Sequence, residues 1–128
     1  MALERLQPEG LVNSTLYSPA VKAGNTVYVA GQVSRDEQGQ IVARGDFRGQ
    51  AHQVFGNLQK ALAAAGGSLK DLAKITVYVT DPRYRDPLRE VQAPYLAGAL
   101  PASTLLVVAA LADPDYLIEI DAVAVLSA

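Results

Sequence analysis

The chain has 128 residues, half of them hydrophobic and 19% charged, which is one domain's worth of sequence and long enough for a self-contained core. It has no cysteine, which excludes a disulfide framework, thiol nucleophiles and Cys-ligated zinc. The net charge is −2 and the basic residues are scattered from Arg5 to Arg89, so nucleic acid is not expected as a principal partner. The longest apolar run, Leu105 to Ala112, falls far short of the ~20 residues of a spanning helix. No membrane partner is expected. The start, Met-Ala-Leu-Glu-Arg-Leu-Gln-Pro, lacks an apolar signal core, which predicts a cytoplasmic protein.

In chain order, the first patterned segments are a short strand from Leu16 to Val21 and a β-branched, aromatic one, Thr26-Val-Tyr-Val-Ala-Gly-Gln32. The turn pair Gly24-Asn25 joins them, so they read as a hairpin. After a polar loop the period becomes helical: Phe47, Ala51, Val54, Phe55, Leu58, Ala61, Leu62 and Ala65 share one stripe. Asp46 is placed to cap this helix and Gly66-Gly67 to end it.

Lys74 to Thr80 alternates as a strand with Ile75, Val77 and Val79 on one face, and Asp81-Pro82 stops it. Asp86-Pro87 reads as an N-cap and first helical position of a second helix with Leu88, Val91 and Tyr95 on one stripe. Pro94 predicts a kink or an early end. Ser103 to Ala109 is a continuous apolar strand, Asp113-Pro114-Asp115 turns the chain, and Tyr116 to Leu126 is the last strand.

The order is ββαβαββ, a single α+β domain over residues 1–128 with a mixed sheet. Two helices cover only one face of such a sheet. Tyr28, Ala30, Tyr78, Val123 and Val125 would then stand in water on the other, and a contiguous apolar patch of that kind marks an interface. A homo-oligomer is predicted.

Few residues offer chemistry. Walker, GxGxxG, GxSxG and HExxH motifs are absent, and neither a metal nor a cofactor is implied. The only histidine, His52, falls on the solvent side of the first helix. Glu119 and Asp121 interrupt an apolar strand two residues apart, which puts both carboxylates on one sheet face about 7 Å apart. That face is either the wet side of an edge strand or a cleft margin where a partly desolvated carboxylate orients water. Gly31, beside Gln32, marks either a close approach or a bulge. Tyr17 offers a phenol, and Ser103-Thr104 offers two hydroxyls and backbone amides to a small anion, strand-edge hydrogen bonding being their commoner use.

These same places carry a resemblance. Leu16-Tyr-Ser-Pro-Ala-Val-Lys-Ala-Gly-Asn25, Val27-Tyr-Val-Ala-Gly-Gln32, Gly45-Asp46, Ala61 to Gly66, Thr76-Val-Tyr-Val-Thr-Asp81, Pro101-Ala-Ser-Thr104 and Ile118-Glu-Ile-Asp-Ala-Val-Ala124 together resemble the RidA (YjgF-type) family in collinear order. The resemblance implies a chorismate-mutase-like α+β fold. It also implies a homotrimer whose sheets enclose a barrel, with small-molecule clefts at the subunit interfaces.

Enzymatic members are deaminases that hydrolyse enamines and imines such as 2-aminoacrylate to 2-keto acids and ammonia. In them a glutamate holds the attacking water and an arginine grips the substrate carboxylate. By this likeness Glu119 is the catalytic residue, and Tyr17, Ala30, Gly31, Gln92, Ser103 and Thr104 line the cleft. Gln92 matches the family asparagine, and Ser103 stands where the arginine is found. Arg83, Arg85 and Arg89 lie near the second helix, from which they can in principle reach a neighbouring cleft.

The expected function is a small-metabolite cleft protein that hydrolyses an imine or enamine through water held by Glu119, its substrate other than a simple 2-imino acid. The alternatives are a binding module without catalysis and an endoribonuclease. The last has little support, since the chain has no basic stripe and no paired histidines.

Overall fold

A computed structural model of the chain describes residues 2–127. Among the described residues, six strands and two α-helices are arranged as β1 (Leu3–Leu6), β2 (Ala20–Ala23), β3 (Thr26–Val33), α1 (Phe47–Ala64), β4 (Leu72–Val79), α2 (Arg85–Leu96), β5 (Ala102–Val107) and β6 (Ile118–Val125). They form one sheet in the order β1-β2-β3-β6-β4-β5. Its pairings are antiparallel except β4 with β5, the two strands that α2 connects.

The pattern that makes α1 is the one in the sequence. Asp46 accepts from the Gly49 amide at 3.0 Å, which satisfies one of the four amides a helix start leaves free. The stripe from Phe47 to Leu62 is buried against the sheet, and the chain leaves the helix at Gly66 with φ +83°, a left-handed turn that suits glycine. Replacing Asp46 by Ala is expected to cost about 1 kcal/mol, read as a lower midpoint in urea with an unchanged slope.

The core lies on one face of the sheet. Val27 and Val29 of β3, Ile75, Val77 and Val79 of β4, and Ile118, Ile120, Ala122 and Ala124 of β6 meet Phe55, Leu58 and Leu62 of α1 and Leu88 and Val91 of α2. Polar groups pin this arrangement from inside. The fully buried Gln50 accepts from the Leu117 amide and donates to the Asp115 carbonyl, fixing the approach to β6. Asn57 donates to the Val33 and Arg35 carbonyls at 3.0 Å, fixing the end of β3.

Several boundaries differ from the sequence reading. β1 was not expected, because Leu3-Glu-Arg-Leu6 has no alternation; it is held by backbone pairing with β2 and buries only Leu6. β2 starts at Ala20 rather than Leu16. Residues 14–16 instead turn on the Ser14 hydroxyl, which accepts from the Leu16 amide, and Pro19 has no N–H for a ladder.

The second helix starts earlier than Asp86. The Asp81 carboxylate caps a 3-10 turn over Pro82–Tyr84 by accepting from the Arg83 amide and guanidinium, and α2 continues directly from it. The Arg83 partner holds the Asp81 carboxyl at about 2, so this clamp stays ionised until strongly acid pH. Asp86 and Pro87 are therefore inside the first turn, where a missing N–H costs little. Pro94 does not stop α2, which runs two residues further to Leu96.

Among the described residues, no helix covers the opposite face of the sheet. Tyr28 and Val125 are each 52% exposed there, and Ala30, Tyr78 and Val123 are half-buried. β5 is the larger surprise: the continuous apolar strand read from Ser103 to Ala109 runs from Ala102 to Val107, lies at the sheet's edge and is exposed at every residue. No helix of the described residues is long and apolar enough to cross a membrane.

Candidate functional site

Glu119 and Asp121 lie on the open face, as their spacing predicts, but β6 is not an edge strand. It runs between β3 and β4, so both carboxylates are flanked on two sides. Tyr78 of β4 lies directly across from Glu119, and its hydroxyl donates to Asp121 Oδ2 at 2.8 Å. That bond, together with burial, raises the Tyr78 phenol above its ordinary value. Glu119 has no such donor among the described residues. It is half-buried, and loss of water first, then the negative charge of Asp121, push its carboxyl above the usual range.

On the other flank β3 is bulged. Val29 pairs with Ala122 and Gln32 with Ile120, so Ala30 and Gly31 together face the single residue Asp121. Gly31 thus sits at a bulge, and what approaches it closely is a side chain, the Glu119 carboxylate. A Cβ there would stand 2.2 Å from Glu119 Oε2 and 2.7 Å from its carboxyl carbon, and the glycine's lack of a side chain is what seats the carboxylate.

Tyr17 belongs to this end of the molecule. It shares a small recess with Gly31, Gln32 and Arg35, and the Arg35 guanidinium donates to the Tyr17 hydroxyl at 3.2 Å. Arg35 drew no notice in the sequence, since nothing local marks it; its backbone is held by Asn57 and Gln53, which both donate to its carbonyl, and by a bridge to Ile41.

The remaining candidates lie elsewhere. Ser103 pairs with Ile75, placing it on the helix side of the sheet, where it shares a groove of about 500 Å³ with Gln92 and Arg89. Thr104 pairs with Thr76 and faces the open side, where its hydroxyl accepts from Lys74 Nζ at 3.4 Å. Ser103 and Thr104 therefore do not present their hydroxyls together, because neighbours on a strand point to opposite faces.

Within one chain the residues form two candidate half-sites. Ala30, Gly31 and Glu119 gather on the open face around β3 and β6, with Tyr17 beside Gly31 in the recess that Asn57 of α1 also lines, and Gln92 and Ser103 gather in the groove between α2 and β5. His52 is exposed on α1 and hydrogen-bonded through Nδ1 to the Tyr95 hydroxyl at 2.8 Å, on the side of the sheet away from Glu119. No cluster of three or more His, Asp or Glu side chains suited to a metal ion occurs among the described residues.

A sheet with both helices on one face, and a desolvated glutamate seated on a bulged glycine on the other, defines a class of small α+β cleft proteins. The sequence profile described as Endoribonuclease L-PSP matches residues 9–126. The chain belongs to this family, the YjgF/RidA proteins. It is 41% identical over 108 residues to a RutC family protein of Pyrococcus horikoshii, covering 84% of this chain and 85% of that one. It is 37% identical over 125 residues to the 3-aminoacrylate deaminase RutC of Acinetobacter baylyi, covering 97% and 98%. Among solved structures, RidA from an Antarctic Psychrobacter superposes with a TM-score of 0.88 at 37% identity, covering 96% and 99%. The fold and the family are thus those the resemblance implied, and imine and enamine deamination is an activity of the family.

Proposed function

We propose that this protein hydrolyses a small reactive imine or enamine to a carbonyl compound and ammonia, with Glu119 as the group that activates water. The observation that carries this reading is the half-buried Glu119 carboxylate over Gly31, free of any hydrogen-bond donor among the described residues and raised in pKa. Such a carboxylate is a better base than an exposed one and has room above it.

An enamine takes a proton on carbon and becomes the iminium ion. Glu119 then accepts a proton from water as the water oxygen bonds to the iminium carbon, giving a neutral carbinolamine. Return of that proton to nitrogen makes ammonia the leaving group, the hydroxyl gives its proton to the Glu119 carboxylate as the C–N bond breaks, and the sum is iminium plus water to carbonyl plus ammonium. Tyr78 holds Asp121 at a fixed place beside Glu119, so the second carboxylate tunes the first.

The two half-sites lie on opposite faces of one chain's sheet, so a cleft that unites Glu119 and Tyr17 with Ser103 and Gln92 requires another copy. The exposed open face and the exposed β5 supply apolar surface for it, and the homotrimer with clefts between subunits that the resemblance implies is an assembly that would unite them. Ser103 carries no charge, and the substrate is accordingly other than the simple 2-imino acids taken by members with an arginine there. A binding module with the same cleft would hold its ligand without releasing ammonia.

The pH profile tests the role of Glu119. Because the ionised form is required and its pKa is raised, kcat/KM for ammonia release is expected to fall on the acid side with a midpoint above the ordinary ~4.3 of glutamate. Asp121→Asn removes a negative neighbour and moves that midpoint down, part of the way only, since burial is the larger cause. An acid limb that stays put in Asp121→Asn, or no acid limb at all, contradicts the assignment.

A further inference from the structure

The groove between α2 and β5 holds a cation that no pairing accounts for. Its walls include Arg89, Gln92, Leu96, Leu100 and Ser103. The other arginines in this part of the molecule have carboxylate neighbours: Arg83 binds Asp81, Arg48 binds Glu90, and Arg85 lies 3.8 Å from Asp86. Arg89 enters none of the ion pairs among the described residues. Gln92, one helical turn further along the same wall, has a buried Oε1 that receives no hydrogen bond. An unneutralised guanidinium beside an unsatisfied amide, opposite a serine, is a polar end in an otherwise apolar groove.

We propose that Arg89 is the residue that binds the anionic end of the substrate, a carboxylate, from the helix wall of the groove. This rests on the reading of the protein as an imine or enamine hydrolase and names the substrate's charged end. The charge sits on α2 where Ser103 leaves none on β5, so the carboxylate is met from the opposite wall. Arg89 offers the planar fork that carboxylates fit, and Gln92 lies beside it to receive an N–H of the ligand once its amide turns into the groove. Arg89 itself is exposed and contributes nothing to the core, so its removal leaves the fold intact.

The test uses a ligand pair that differs only in charge. Amide NMR titration of the assembled wild-type protein with propanoate and with propanamide is expected to show tighter binding of propanoate, with shifts in Arg89, Gln92 and Ser103. Arg89→Gln is expected to weaken propanoate binding roughly 10- to 100-fold, to the level of propanamide, the loss of one charged hydrogen-bonding partner. Arg89→Lys should retain part of the preference, and Ser103→Arg in the Arg89→Gln background should restore it.

For any imine acid turned over, Arg89→Gln raises KM more than it lowers kcat. Equal propanoate binding by wild type and Arg89→Gln would overturn the proposal. The titration involves no turnover, so a protein that binds propanoate through Arg89 yet releases no ammonia would refute the hydrolase reading alone.

Discussion

Glu119→Gln is expected to abolish most ammonia release while making the protein more stable at neutral pH. The two effects share one cause. The folded-state carboxyl is raised above its unfolded value by burial and by Asp121, so its ionised form is penalised in the folded chain. Below the unfolded pKa the group is neutral in both states and the folded chain has its full stability. As pH rises through the folded pKa, that contribution is lost. Glutamine keeps the shape and removes the charge, so the variant should melt higher than wild type at pH 7, with the difference closing toward pH 4 and below.

Its rate of imine hydrolysis should fall by about 10²- to 10⁴-fold, the usual contribution of a positioned general base, with ligand binding kept. A thermal scan at several pH values and an ammonia assay read both effects. A variant that is less stable than wild type at pH 7 would show that Glu119 is anchored by favourable contacts rather than held at a cost.

Gly31→Ala carries the second large effect, and it separates function from folding. The added Cβ would overlap the Glu119 carboxylate at 2.2 Å, and what must give way is the far end of a flexible side chain on an open face. Alanine is also no worse than glycine in a strand, so the change in stability should stay within about 1 kcal/mol. The carboxylate, however, is displaced by an ångström or more, and a misplacement of that size costs on the order of 10²-fold in rate. In a Glu119→Gln background the same Gly31→Ala change should add little, since the group it displaces no longer acts. Additive losses across that cycle would mean that Gly31 serves the cleft by some route other than Glu119.

How much of this was legible in the chain depended on range. α1 was readable because its cap and stripe are local, and β4 because its alternation is strict. Glu119 and Asp121 were placed on one face by spacing alone. What spacing could not supply was neighbours: the same two carboxylates read also as the wet side of an edge strand, and the pairing of β6 between β3 and β4 shows that the strand is not an edge.

β5 misled for the related reason that an apolar run tells of burial in an assembly or in a chain without distinguishing them. The start of α2 was misread because two Asp-Pro pairs, at residues 81 and 86, carry the same capping signal, and the earlier one wins through its added contact with Arg83. Arg35 on the Tyr17 hydroxyl is a contact across the fold, and Arg89 and Ser103 share a groove only because α2 and β5 come together there, which no local pattern shows.

The most direct test of the account is the rate of ammonia release from freshly generated 3-aminoacrylate, with 2-iminobutanoate as the simple 2-imino acid for comparison, corrected for spontaneous hydrolysis, with wild-type protein and with Glu119→Gln. The account predicts that wild type accelerates 3-aminoacrylate hydrolysis well above background, leaves 2-iminobutanoate near it, and that the variant accelerates neither. A background rate for 3-aminoacrylate with wild type, or equal acceleration by the two proteins, would contradict it.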